Sequence, residues 1–322
     1  MPAISVIIPV YNVEQYIAQC ARSLFGQTIK DIEFIFIDDC SPDHSIAILQ
    51  EVLEAFPERK PQVRCLRMEK NSGQAKVRLY GISQATGDYV IHCDSDDFVD
   101  PRMYEMMYEE ASSKNLDIVS CDYLVGDGGS WTKRFTATKP GQELSNILTG
   151  RSTYSLWSRL MRRSLLQDIK PPVSNMGEDM LITIQATYKA KRIGHIPQPL
   201  YYYRRNTTSI TKTQGEEAHL LRWKATKDNT DVLLDVLSEY GFSEKAPEVI
   251  YTKYNCRYWL EPLVHIPTYH DLWENTYPEI NGSFLFTPHI KIDKKIWFIL
   301  IYLYLYYPVK HLMRALRKLS SH

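Results

Sequence analysis

The chain has 322 residues, 44% of them apolar and 24% charged, proportions that exclude a disordered or collagen-like polymer and allow more than one core. Lys plus Arg (38) equals Asp plus Glu (38), so the formal net charge is zero. A protein that neutralises nucleic-acid phosphates carries a basic excess, and the first 290 residues have none; no nucleic acid is expected among its partners.

Residues 4–10 are an unbroken, β-branched apolar run, the pattern of a strand covered on both faces. Ile17, Cys20, Ala21 and Leu24 follow at helical spacing. A second strand over 32–37 precedes a stripe of Ile46, Leu49, Leu53 and Phe56. A strand at 63–68, a helix at 75–85, a strand at 89–93, a helix at 101–113 with Pro101 in its first turn and a strand at 116–121 complete the series. Such alternation predicts an α/β fold with a mostly parallel, Rossmann-like sheet and helices on both faces. Residues 1–122 form its first half and 123–215 its second, followed by a helical extension over 216–290 and a tail over 291–322. Met1-Pro2-Ala3 leads straight into the first strand, so no secretory leader is expected. The six cysteines show neither a C-x-x-C pair nor a zinc-spaced histidine, so reduced cytoplasmic thiols are expected.

Ligands of an open α/β sheet bind outside the carboxyl ends of its strands. The first strand ends in Pro9-Val10-Tyr11-Asn12, the second in Asp38-Asp39-Cys40-Ser41-Pro42-Asp43 and the fourth in Asp94-Ser95-Asp96-Asp97. Singly, each Asp suits a turn or a helix cap. Five carboxylates at one sheet edge, those of Asp38, Asp39, Asp94, Asp96 and Asp97, repel one another unless a cation lies among them. A hard divalent ion such as Mg²⁺ takes one or two carboxylates and completes its shell with water and substrate phosphate oxygens. Neither G-x-G-x-x-G nor a P-loop follows the first strand, which removes the dehydrogenase and P-loop NTPase readings. Tyr11 can offer a ring to a base or simply pack in the core, and Asp39 can accept from a uracil N–H.

In order and spacing these segments resemble the inverting nucleotide-sugar glycosyltransferases of family 2, of the bacterial surface-polysaccharide type, which have the GT-A fold. The likeness continues through Asn71-x-Gly73, Arg78-x-x-Gly81-Ile82, Ala85-x-Gly87-Asp88-Tyr89 and Gly177-Glu178-Asp179, over roughly residues 3–210. It implies that Pro9, Val10, Tyr11, Asp39, Arg78, Asp94 and Ser95 form the nucleotide pocket. Asp96, with Asp97 beside it, would hold Mn²⁺ or Mg²⁺ at the diphosphate. Asp179 would be the base that deprotonates the acceptor hydroxyl, a role needing a carboxylate within hydrogen-bond reach; a residue that merely complements the helix dipole is its alternative. Asn71, Gly73, Trp157, Glu178 and Arg204 are further candidate contacts to donor or acceptor, with Trp157 equally suited to a core and Ser209-Ile210 to a loop over the diphosphate. The chain has Val77-Arg78-Leu79 where the family often has Ala-Arg-Asn, and Cys40, a small change, where glycine is frequent. His195, without a second histidine at ligand spacing, reads as a strand-end residue. Sugar-phosphate nucleotidyltransferases share the sheet and the metal but need a glycine-rich basic loop that residues 9–12 lack. A non-catalytic membrane-associated member of the fold would not keep Asp96 and Asp179.

Residues 296–307 are uncharged and apolar or aromatic, too short to span a bilayer, and end at Pro308. Seven basic residues against one acid occupy 291–322, with Leu312, Ala315, Leu316 and Leu319 among them. Aromatic and basic residues bordering an apolar face suit a helix lying in an anionic leaflet. The tail is therefore expected to hold the enzyme peripherally on the inner face of the cell membrane, near a glycan or polyprenyl-linked acceptor. A helix docked on the catalytic domain, or buried in a homodimer, is the alternative.

Overall fold

The strand and helix periods of the first half fold as β1 (Ile4–Val10), α1 (Ile17–Phe25), β2 (Ile32–Asp38), α2 (Ser45–Glu54), β3 (Val63–Arg67), α3 (Gln74–Gln84) and β4 (Tyr89–His92). β5 (Phe98–Val99), α4 (Met103–Ser113), β6 (Ile118–Gly126), β7 (Trp131–Arg134), α5 (Glu143–Leu148), β8 (Arg159–Arg162), α6 (Glu178–Lys189) and β9 (Ile193–Arg204) follow. The computed structural model describes residues 2–134, 141–205, 215–288, 290–306 and 308–309. Two units make up the chain: residues 1–147 with 152–209, and residues 148–151 with 210–322.

In the first unit the strands form one sheet in the order β3-β2-β1-β4-β8-β6-β9-β5, with β7 paired to β6. The period-two alternation of β1 and β2 divides their side chains between two layers. Val6, Ile8, Phe34 and Phe36 pack with Ile17, Cys20 and Leu24 of α1, Leu49 of α2 and Met103 and Met107 of α4. Ile7, Ile35 and Ile37 point the other way, to Val77 of α3 and Ile182 and Ala186 of α6. Each such burial contributes roughly 1.5–3 kcal/mol. Gly81 lets α3 lie close to the sheet, because a Cβ there would stand 2.4 Å from Ile7 Cγ2.

β1 pairs in parallel with β2 and β4, so Val10 lies opposite Asp38 and the three carboxyl ends share one edge. Beyond β4 the ladder changes. β8 enters antiparallel between β4 and β6, a strand that alternation could not announce because its partners precede it by many residues. β9 runs parallel to β6 with register shifts at Asp122, opposite Pro199, where proline has no N–H to give the ladder. The bulge carries Tyr201–Arg204 onward, and Tyr201 and Tyr202 pair with Val99 and Phe98 just after the acidic turn.

The second unit contains α7 (Glu216–Glu239), α8 (Pro247–Cys256), α9 (Pro267–Asn275) and α10 (Ile292–Tyr302). Its core gathers Ile250, Tyr254, Leu260, Trp273, Phe284, Phe298 and Ile301. The first half of the expected tail is thus built into this core: Phe298, Ile301 and Tyr306 are buried. Ile292, Ile296, Ile299 and residues 302–305 remain exposed. Residues 310–322, with the rest of the expected apolar stripe, lie outside the described residues. Among the described residues no helix is long and apolar enough to cross a membrane.

Candidate active site

The strand β4 ends in a tight turn, closed by the Asp97 N–H donating to the Asp94 carbonyl at 3.0 Å. The turn sends alternate side chains to opposite sides. Asp97 and Ser95 are buried, whereas Asp94 and Asp96 are only partly so. Asp97 accepts from the Tyr201 hydroxyl at 2.8 Å on one oxygen and from the Arg204 N–H at 2.6 Å on the other. Burial, then the neighbouring Asp96 and Asp94, push its pKa well above the ordinary carboxylate range, a measure of the negative charge crowded here. Its carboxylate pins the turn from within, next to Asp96, the expected metal ligand. Ser95, like Asp39, is buried in this structure.

Tyr201 also receives the Asp94 N–H at 3.1 Å, so one phenol fastens both ends of the turn. Arg204 donates from Nε to the Asp96 carbonyl at 3.0 Å, reaches Gln19 with Nη2, and lies over the rings of Tyr16 and Phe98. Its guanidinium braces the acidic turn. The Ser209-Ile210 loop expected nearby lies outside the described residues.

At the end of β2, Asp39 is buried and accepts the N–H groups of Ser72 at 2.7 Å and Gly73 at 2.8 Å. Each oxygen keeps a further lone pair. Gly73 precedes α3 at φ +82, and a Cβ there would collide with the Asn175 side chain at 2.1 Å. Asn175 Oδ1 in turn accepts the Ala75 N–H at 3.1 Å, capping α3 from a loop a hundred residues away. Asn71 is exposed in the loop that precedes α3. Cys40, described above as a small change from glycine, sits at φ +57, so that estimate is corrected: an L side chain in the left-handed region is strained. Tyr11 is 46% exposed beside a half-buried Pro9. Val10 is wholly buried and its carbonyl accepts the Asp39 N–H, which ties the ends of β1 and β2 together.

One buried cation joins these parts. Arg78, on α3, is wholly enclosed; Nη2 donates to Asp94 Oδ1 at 2.8 Å and Nη1 to Glu178 Oε1 at 3.1 Å, and Nη1 also pairs with Asp179. Burial alone would lower its pKa, but Asp94 and Glu178 outweigh it and raise the value. Burial pushes Glu178 up against the opposing pull of Arg78. Glu178 and Asp179 open α6 after Gly177, whose φ of +83 turns the chain into the helix. The acidic turn and the Glu-Asp pair, 81 residues apart between Asp97 and Glu178, therefore share one guanidinium.

Trp157 is 6% exposed, stacked on Tyr201 at 4.3 Å and Tyr203 at 5.7 Å and edge-on to Tyr123, surroundings that match the core alternative and place it behind the tyrosine that holds the acidic turn. His195 lies between Asp122 Oδ1 (3.2 Å) and Ser120 Oγ (3.0 Å), within the sheet. Asn175 and the anchoring role of Tyr201 were not foreseen; neither carries a local sequence signal, since each acts on an element far along the chain.

An acidic turn, an acceptor carboxylate and a Glu-Asp pair at the carboxyl edge of such a sheet define a nucleotide-sugar transferase. The model of the family described as Glycosyl transferase family 2 matches residues 5–170. The glycosyltransferase EpsJ of Bacillus subtilis is 30% identical over 288 residues, covering 82% of this chain and 78% of that protein. The structure of Staphylococcus aureus TarS 1–349 with UDP-GlcNAc superposes with a TM-score of 0.58 at 20% identity, over 88% of this chain and 91% of that one. The mannosyltransferase PcManGT of Pyrobaculum calidifontis, with GDP-Man and Mn²⁺, gives a TM-score of 0.55 at 14% identity over 97% and 87%. The chain belongs to glycosyltransferase family 2, has the GT-A fold, and is a glycosyltransferase.

Proposed function

We propose that this enzyme moves a sugar from a UDP-sugar to a hydroxyl of a glycan or polyprenyl-linked acceptor, with inversion and with a divalent metal, in surface-polysaccharide synthesis. The observation that carries the reading is the Arg78 bridge, which ties the donor-side Asp94 to Asp179 through one immobile cation. TarS, a relative of the same family, has been solved with UDP-GlcNAc, which supports a uridine donor. In this reading Tyr11 stacks on the base, with Pro9 beside it, Asp39 accepts from the base, and Asn71, Gly73 and Asp94 border the ribose and diphosphate.

The acceptor oxygen attacks the anomeric carbon from the face opposite the nucleotide. Its bond to that carbon forms as the bond from carbon to the leaving phosphate oxygen breaks, and Asp179 takes the hydroxyl proton. Arg78, itself held by Glu178, keeps Asp179 in position. The donor set suits Mn²⁺ or Mg²⁺: Asp96 is half-exposed on an acidic turn that it shares with a partly exposed Asp94, and such ions need only one or two protein carboxylates. When bound, the ion neutralises charge developing on the departing diphosphate.

The test is nucleoside diphosphate release from a panel of donors after chelation, with and without added Mn²⁺, and NMR of the product's anomeric configuration. UDP release that needs the ion and an inverted linkage are expected. Equal turnover after chelation, a retained configuration, or pyrophosphate release in the manner of a nucleotidyltransferase would overturn the reading.

The exposed side of α10 supports peripheral attachment to the inner membrane face, with Ile292, Ile296, Ile299 and Leu303 entering the leaflet beside Lys294 and Lys295. Deleting 291–322 would also remove the buried Phe298 and Ile301, so the informative variant is Ile296→Glu with Leu303→Glu. Flotation with anionic vesicles should fall for that variant. Equal flotation, or none by the wild type at low salt, counts against the attachment.

A further inference from the structure

The second unit holds a group of donor atoms that sugar transfer does not use. One ligand atom from each of His270, Asp271 and Glu274, all on α9, lies within 4.8 Å of the others. His270 is wholly buried, and its Nε2 stands 2.9 Å from the main-chain carbonyl of Ile301 on α10. A carbonyl only accepts, so Nε2 carries a proton. Nδ1 is buried without a hydrogen-bond partner and faces Glu274 Oε2 across 4.0 Å, too far for a direct bond. The ring of Tyr304 stacks on the imidazole at 3.6 Å and fixes its plane. Asp271 and Glu274, three residues apart on one helix, repel each other, and the nearby Arg257 spends its Nη2 on main-chain carbonyls, that of Glu274 at 3.4 Å and that of Tyr277 at 2.8 Å.

We propose that His270 Nδ1, Asp271 and Glu274 form a binding site for a divalent transition ion of the zinc class, separate from the metal used in transfer. An imidazole ligand favours zinc-like ions over Mg²⁺, which prefers oxygen alone. The Nε2–H bond to a backbone carbonyl is the outer contact that metal-bound histidines make, since it frees and aims the other nitrogen. Donors about 2.0–2.2 Å from a tetrahedral zinc stand roughly 3.4 Å apart. The exposed Asp271 and half-exposed Glu274 can close that far by side-chain rotation, and water completes the shell. Because His270 also holds Ile301, the ion fastens α9 to α10. The site stands whether or not the donor and acceptor assignments hold.

The experiment titrates chelator-stripped full-length protein with Zn²⁺ in a competing chelator, and with Co²⁺ followed by visible absorption. It compares wild type with the Asp271→Asn, Glu274→Gln double variant, both checked for fold by circular dichroism. Any ion taken up by the acidic turn is common to both and cancels. Wild type should bind one more equivalent of Zn²⁺, gain a visible Co²⁺ band and melt higher with Zn²⁺, and the double variant should lose all three. His270→Gln, whose amide can still donate to the Ile301 carbonyl, should lose them as well; if it does not fold, the carboxylate variants decide. Equal stoichiometry and affinity in wild type and double variant would overturn the site.

Discussion

The Nη2 of Arg78 lies 2.8 Å from Oδ1 of Asp94, in a pocket that leaves 1% of the arginine side chain exposed. A guanidinium so enclosed has lost its hydration and is held by its carboxylate partners; removing it would leave buried acids uncompensated, a loss of about 3–5 kcal/mol. Arg78→Met should therefore lower the urea midpoint sharply, while Arg78→Lys, which keeps the charge but not the fork, should fold and lose turnover. A fully active lysine variant would show that the two-pronged geometry is irrelevant.

Asp96→Asn should reduce kcat at least about 10²-fold with the far-ultraviolet spectrum unchanged, because it removes one negative donor from a partly exposed turn. Near-normal turnover at saturating Mn²⁺ would remove Asp96 from the metal site.

Asp179→Asn should cut transfer by roughly 10²–10⁴-fold and leave donor affinity close to wild type, since a base acts on the acceptor. Calorimetry with UDP measures the second quantity. Parallel loss of binding and turnover would mean that Asp179 serves only to balance Arg78.

Asp43 sets an acid-side dependence. Its carboxylate accepts from the Ser41 and Ser45 hydroxyls, both at 2.6 Å, and from the amides of Glu14 at 2.8 Å and Ser45 at 3.1 Å. Partial burial alone would raise its pKa, but these bonds bring it down to about 2. An unfolded Asp titrates near 3.9, so the stabilisation is complete above about pH 4 and disappears as pH falls toward about 2. Allowing for solvent screening, it amounts to roughly 1–2 kcal/mol. Between those pH values the wild-type urea midpoint should drop more steeply than that of Asp43→Asn.

Cys40→Gly should stabilise the fold by about 0.5–1 kcal/mol: it relieves a left-handed residue at φ +57, partly offset by loss of the Sγ contact to the Met68 carbonyl at 3.2 Å. Denaturant titration decides the sign, and a destabilised variant would mean the thiol contact outweighs the strain.

The parallel half of the sheet was legible because each of its strands is apolar in sequence and separated from the next by one amphipathic helix. The acidic turn was legible as a cluster, but which carboxylate faces inward was not, because Asp97 is turned by Tyr201 and Arg204, more than a hundred residues away. Trp157 could be read either way until its neighbours Tyr201 and Tyr203 were known. β8 and the Asn175 cap escaped for the same reason: a four-residue strand and a single amide have no periodicity of their own.

The antiparallel β8 has a further effect on how the chain reaches its native state. Since β8 fills the slot between β4 and β6, a nascent chain that has emerged only as far as Gly126 holds two strands with unsatisfied ladders facing an empty gap. Closure waits until Arg159–Arg162 has been synthesised and threaded in from the opposite direction. Long-range pairings of this kind slow folding and prolong exposure of sticky edges. Ribosome-stalled chains whose emerged part ends near residue 126 should therefore recruit holding chaperones, and those with everything through β9 emerged should release them.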